Sequence, residues 1–266
     1  MISKFLHSIK FFFSKINVYM RYKKKRIILG LKWIFTGKEI SNFTYEINNI
    51  NEILHTCQII TNAEIETLDQ ILNEINFENK DFRDFFSDEF HKDNNNKNIF
   101  GRRMLWYILA RYLKPELIIE SGMDSGLGST LMIYAQYKNS QEQKNLNFEF
   151  VGIDILQKKN FIFNFENQNF LKYKFVFDDS LKFLSNFNSK KKIMYISDAE
   201  HNYEFELKEF DLIKKNLCNN SIIISDNNSG SLSKFSIQNK KKLVYFHEKS
   251  KNFWYSGAVS SVSYFY

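Results

Sequence analysis

The sequence predicts an α/β domain over residues 101–266, built on a doubly wound, mostly parallel sheet of seven strands. A helical N-terminal extension over residues 1–100 precedes it. Two observations carry this prediction. Five short apolar segments, Leu117–Glu120, Phe148–Ile155, Tyr173–Phe177, Lys192–Ser197 and Ser221–Ser225, alternate with stretches long enough for a helix, as parallel strands covered on both faces do. Two further strand-like runs, Lys242–His247 and Ala258–Tyr266, follow with no long helix between them, which suits an antiparallel pair at the sheet edge.

The extension begins with a basic segment. Residues 1–40 hold ten Lys or Arg and one acid, Glu39, a charge of +9 against +7 for the whole chain. The rest of the protein is therefore close to neutral. Phe5, Leu6, Ile9, Phe12, Phe13, Ile16, Tyr19 and Met20 recur at steps of three and four, as on one helix face. A basic amphipathic helix of this kind can lie in a membrane interface, or pack on the body with its charges in solvent. Positive charge confined to a tail argues against nucleic acid as partner. Residues 41–90 read as helical, with Ile50, Ile53, Leu54, Ile65, Leu68, Ile71, Leu72 and Ile75 at helical spacing. The polar run Asp93–Asn98 marks the domain boundary. The next helix, over 102–113, carries Leu105, Ile108, Leu109 and Tyr112 on one face and ends before Pro115.

Hydrophobic residues make up 44% of the 266 residues, enough for a packed core. Phe, Lys, Asn and Ile recur throughout, so aromatic content alone does not mark a binding site. Cys57 and Cys218 lack metal-type spacing, which points to a reducing cytoplasm rather than a disulfide scaffold. No run of 18 uncharged apolar residues predicts a transmembrane helix, and Lys10 and Lys15 interrupt the apolar N-terminus. The expected location is cytoplasmic, and peripheral at the inner face of the membrane if residues 1–40 lie in its interface rather than pack on the body.

Chemistry gathers at the ends of the predicted strands. The first runs Leu117-Ile118-Ile119-Glu120-Ser121-Gly122 into Asp124, Gly126, Gly128, Ser129 and Thr130. An acid, then a glycine-rich turn opening a helix, lets a ligand approach the backbone. The spacing Gly-x-x-x-Gly-x-Gly is not the Gly-x-Gly-x-x-Gly of a dinucleotide site, which disfavours a nucleotide-dependent oxidoreductase. The second strand ends Val151-Gly152-Ile153-Asp154, 34 residues after Glu120. An acid there can accept paired ribose hydroxyls. The third ends Phe177-Asp178-Asp179-Ser180, with Asp179 the better match and Asp178 an alternative. The fourth ends Ser197-Asp198-Ala199-Glu200-His201-Asn202-Tyr203-Glu204, and the fifth Ser225-Asp226-Asn227-Asn228.

Together these motifs resemble the class I S-adenosylmethionine-dependent methyltransferases over about 160 residues, in the form seen in bacterial small-molecule and glycan O-methyltransferases. Asp124 stands where that family places a central glycine. The resemblance implies a Rossmann-like methyltransferase fold and S-adenosylmethionine bound by Glu120, Ser121, Gly122, Gly126, Ser129, Asp154, Asp179 and Asp198. It implies an acceptor hydroxyl on a small molecule or a sugar or glycan, with His201 as general base beside Asp198. Asp198, Asp226 and Asn227 resemble the magnesium ligands of catechol-type O-methyltransferases, implying Mg²⁺ assistance. Metal-free N-methylation is the alternative within the class. A non-catalytic methyltransferase-like scaffold with a membrane-binding tail is the alternative outside it.

Overall fold

The computed structural model describes residues 46–87, 90, 97–157, 161–164, 172–251 and 257–264, and Lys24, Ile27, Ile28 and Leu31 from the N-terminal segment. These four are helical and exposed. The rest of the basic stripe and residues 93–96 of the polar run lie outside the described residues.

All seven expected strands form: β1 (Leu117–Ser121), β2 (Glu149–Asp154), β3 (Lys172–Phe177), β4 (Ile193–Ser197), β5 (Ile222–Ser225), β6 (Lys242–His247) and β7 (Val259–Tyr264). They make one sheet in the order β3-β2-β1-β4-β5-β7-β6. β1 pairs in parallel with both β2 and β4, and β5 pairs in parallel with β4. β7 runs antiparallel between β5 and β6. β1, β4 and β5 are buried along their whole length, which is why they read as unbroken apolar runs rather than as alternation.

Side chains alternate across the sheet. Ile118, Met194, Ile196, Ile222 and Ile224 enter one core, while Leu117, Ile119, Ile193, Tyr195 and Ile223 enter the other. The second core is closed by α6 (Ser180–Asn186), α7 (Tyr203–Ile213) and α8 (Ser231–Gln238), through Leu184, Phe210, Ile213, Leu232 and Phe235. The first is closed by α4 (Arg103–Leu113) and α5 (Leu127–Glu142).

Outside α4 pack α1 (Ile50–Thr61) and α2 (Ile65–Leu72), followed in the chain by the short α3 (Lys80–Arg83). Their apolar residues belong to the same core as α4 and the sheet. The boundary read at residue 100 thus falls within one continuous packing unit. Phe77, Phe82, Phe86 and Phe90 meet Phe100 in an aromatic cluster, with Phe82 and Phe86 5.0 Å apart between ring centroids. Being covered on several sides, α4 is buried from Arg103 to Arg111. Tyr112, expected on its buried face, is instead exposed. Asn49 fastens α1 to the end of β6: its amide donates to the His247 carbonyl (2.9 Å) and accepts from the Lys249 N–H (2.8 Å).

Phe82 is fully buried at the centre of this cluster. Phe82→Ala should destabilise the protein by about 3–5 kcal/mol, the usual result of emptying a buried aromatic site. Urea unfolding monitored by circular dichroism checks this, and a loss below ~1 kcal/mol would mean that the extension packs only loosely on the sheet.

Candidate active site

In chain order the strands step outward from β1 to β3, then return to the other side of β1 with β4. A crevice opens where that direction reverses, beyond the carboxyl ends of β1 and β4, and open α/β sheets bind ligands there. Here the two loops touch. A Cβ on Gly122 would lie 2.2 Å from the Asp198 carbonyl oxygen, and Gly122 has φ +85°. Only glycine fits both the conformation and the contact.

Asp154 at the end of β2 shapes the β1 turn. Its Oδ2 accepts the N–H groups of Met123 (2.9 Å) and Asp124 (3.0 Å), and its Oδ1 accepts that of Leu156 (3.0 Å). Asp124 has φ +48°, a left-handed conformation that Asp tolerates better than most residues. The turn is thus made without a glycine at this position. Asp179 caps α6, its Oδ1 accepting from Leu181 and Lys182. Asp178 pairs instead with Lys182 in the open.

Gly122, Asp154, Asp179, Asp198, His201 and Asp226 all line one cleft of about 750 Å³, within the roughly 300–1,000 Å³ of small-molecule sites. Glu120, Ser121 and Ser129 do not line it. They lie buried beneath the turn, with Ser129 donating to Glu120 (2.5 Å) and Tyr195 to Ser121 (3.2 Å). Gly126 begins α5 with φ +89° and faces the ring of Phe161. Burial raises the Glu120 carboxyl to about 8, against the Ser129 hydrogen bond that lowers it.

His201 is half exposed, with Nε2 4.0 Å from Asp198 Oδ1 and Nδ1 2.9 Å from the amide nitrogen of Asn227. Two neighbours set that amide's orientation. Its NH₂ donates to the buried carboxylate of Glu206, and its oxygen accepts the Ser229 N–H (2.6 Å). The group facing His201 is therefore a donor, so Nδ1 accepts and a neutral ring carries its proton on Nε2.

Two arginines complete the site. Arg102 and Arg103 both line the cleft. The buried guanidinium of Arg102 grips Asp226 with two hydrogen bonds and also reaches Glu248 (3.2 Å). Arg103 lies 3.6 Å from Asp198 and over the ring of Trp106. Burial would raise the Asp226 carboxyl, but Arg102 outweighs it and holds the group below its usual range. Burial and the adjacent Asp226 push Asp198 well above the carboxylate range. The residue pattern carried a readable sign of these arginines. Two cations open α4 with no acid in its first turn, against the helix dipole, so acidic partners had to come from elsewhere.

The expected magnesium set meets only in part. Asp198 and Asp226 come together, and among the described acids, histidines and cysteines His201 joins them, all three offering ligand atoms within 4.8 Å of one another. The Asn227 amide is turned to Glu206 and Ser229, and both Asp226 oxygens are engaged by Arg102. This arrangement does not fit an oxygen-bound Mg²⁺, which needs open carboxylate oxygens at near-octahedral positions.

The raised Glu120 makes stability depend on pH. Stability from keeping it neutral is full below its ordinary pKa of about 4.3 and is lost as pH rises through about 8. The advantage of Glu120→Gln over the parent should thus grow from about pH 5 to about pH 8 and level off above. Denaturant melts across that range check this, and a difference flat with pH would show that Glu120 ionises freely.

No family model matches the chain, and neither does any curated protein. Solved structures do match, at low identity. One is a methyltransferase of Podospora anserina, PaMTH1, with bound SAH: 16% identity over 81% of this chain and 94% of that one, TM-score 0.43. Another is the O-methyltransferase TomG of Streptomyces achromogenes, involved in tomaymycin synthesis and complexed with SAM: 13% identity, 81% and 96% covered, TM-score 0.43. A third is an O-methyltransferase of Bacillus cereus with SAH: 11% identity, 80% and 97% covered, TM-score 0.41. With its seven-stranded, mostly parallel sheet covered by helices on both faces, the chain has a Rossmann-like, doubly wound α/β fold.

Proposed function

We propose that the protein is an S-adenosylmethionine-dependent O-methyltransferase acting on a hydroxyl of a small-molecule acceptor. The observation that carries this reading is the convergence of Gly122, Asp154, Asp179 and Asp198, from four successive strand ends, on one cleft. The glycine-rich turn suits the cofactor: Gly122 leaves the backbone bare beside the cleft. Asp154 has about four acceptor positions, of which three N–H groups take one each, and the remaining one faces a ribose hydroxyl in this reading. When bound, the cofactor supplies an already activated methyl group.

The chain's own task is to orient the acceptor and take its proton. His201 is the base, and Nδ1 is its basic nitrogen. The acceptor hydroxyl displaces the Asn227 amide from Nδ1, while Asp198 Oδ1 lies 4.0 Å from Nε2 on the far side of the ring. Released from His201, the Asn227 amide still has Glu206. A sugar or glycan hydroxyl is the preferred acceptor class, supported by the resemblance carried by Asp198, His201, Tyr203 and Glu204. The N-terminal segment acts in this reading as a membrane-surface contact, supported by the exposed apolar Ile27, Ile28 and Leu31 beside Lys24. Among the described residues no helix is long and apolar enough to cross a membrane.

Calorimetry and turnover separate the assigned roles. Asp154→Ala should weaken S-adenosylmethionine binding by about 1.5–3 kcal/mol per lost charged hydrogen bond. His201→Ala should bind it almost normally and turn over some 10²–10⁴-fold more slowly. Unchanged affinity in a folded Asp154→Ala protein would refute the cofactor assignment, and full turnover in His201→Ala would refute the base. For the tail, full-length protein should sediment with anionic liposomes at low salt and a chain lacking residues 1–40 should not. Equal sedimentation of the two would remove the membrane role.

A further inference from the structure

The cavity of the site holds a cation that is part of the chain. Arg102 is 3% exposed, and its guanidinium is anchored from several directions. Nε and Nη2 fork onto the two oxygens of Asp226. Nη1 meets Glu248 Oε1 at 3.2 Å, and the Arg102 backbone N–H meets Glu248 Oε2 at 2.8 Å. Glu248 is itself held by the Ala258 N–H (2.9 Å). Gly101 turns the chain so closely that a Cβ there would lie 2.6 Å from Glu248 Oε2. An arginine stays charged at any physiological pH, and its planar fork matches a carboxylate. Beside it, Arg103 faces Asp198 at 3.6 Å. The acids that would draw a divalent ion therefore already face guanidinium charge, and an entering ion would meet repulsion as well as occupied ligands.

We propose that Arg102 is the resident cation of the Asp198–Asp226 pair: it fills the place a divalent ion would take, excludes such ions from the site, and its removal opens a divalent-cation site formed by Asp198, Asp226 and His201. Two carboxylates and an imidazole suit a first-row transition ion such as Mn²⁺, and their ligand atoms already lie within 4.8 Å of one another. Breaking the Arg102–Asp226 pair frees both carboxylate oxygens at once. Ion exclusion stands independently of the methyl-transfer reading, since it concerns binding alone.

The test is a Mn²⁺ titration of full-length protein followed by electron paramagnetic resonance, in which bound ions lose the sharp six-line signal of free Mn²⁺. Wild type should bind no Mn²⁺ that Asp226→Asn abolishes. Arg102→Met should bind about one ion per chain, a gain that Arg102→Met/Asp226→Asn loses. Wild type binding an Asp226-dependent ion, or folded Arg102→Met binding none, would overturn the proposal. Arg102→Met removes the guanidinium beside the buried Glu248, which keeps the N–H groups of residue 102 and Ala258. If it fails to fold, Arg102→Met/Glu248→Gln neutralises that side chain and takes its place under the same criterion. Turnover in excess chelator is a separate reading: it bears on the methyl-transfer assignment, whereas the resonance signal decides ion exclusion.

Discussion

Arg102 starts α4, where the helical layer meets the sheet, and it spans to Asp226 after β5 and Glu248 after β6. Three parts of the fold depend on this contact. Glu248 also holds the start of the β7 segment through Ala258, and Asn49 ties α1 to the same end of β6. A buried guanidinium with two carboxylates is not a large source of stability, because desolvation offsets most of the Coulomb attraction. Its effect is on arrangement. Once buried, the charge leaves few alternative positions for α4 against the strand ends, and α4 carries the cleft's second cation, Arg103.

Behind the cleft lies a second polar layer of three buried carboxylates, each bracing a different loop. Glu120 takes Ser129 and so joins the end of β1 to the first turns of α5. Glu209 on α7 takes Ser180 (2.6 Å) and Ser197 (2.6 Å), joining the start of α6 to the end of β4. Glu206, one turn earlier on α7, takes Ser229 and Ser231 as well as Asn227, and so holds the loop after β5. Burial raises both the Glu120 and the Glu209 carboxyl. Short serine hydroxyls satisfy these groups without filling the interior with side-chain bulk. The loops that face the ligand can then be irregular while their bases stay fixed, which a binding constellation requires.

The fold was legible because its signals are local. β1, β4 and β5 are central and buried on both faces, so their apolar runs stand out and their ends agree with the expected segments to about a residue. The acids at the strand ends were legible for the same reason: each belongs to the strand before it. Helix α4 was harder. Its periodicity placed Tyr112 inside with Leu105 and Ile108, yet the helix is buried almost all round and Tyr112 lies outside. A stripe predicts one buried face, and α4 has neighbours on several.

By itself the sequence determined the order of elements, the turn after β1 and the identity of the acids that ring the cleft, since periodicity, glycine conformation and strand-end position are properties of short segments. Only the tertiary structure decided what each acid does. Asp226 answers to Arg102, 124 positions away, and Asn227 to Glu206, 21 positions away. Asp154 spends three acceptor positions on backbone amides, two of them in the β1 turn. A carboxylate's charge, ligand capacity and hydrogen-bond role depend on the nearest donor in space, and in a doubly wound sheet that donor comes from a remote part of the chain.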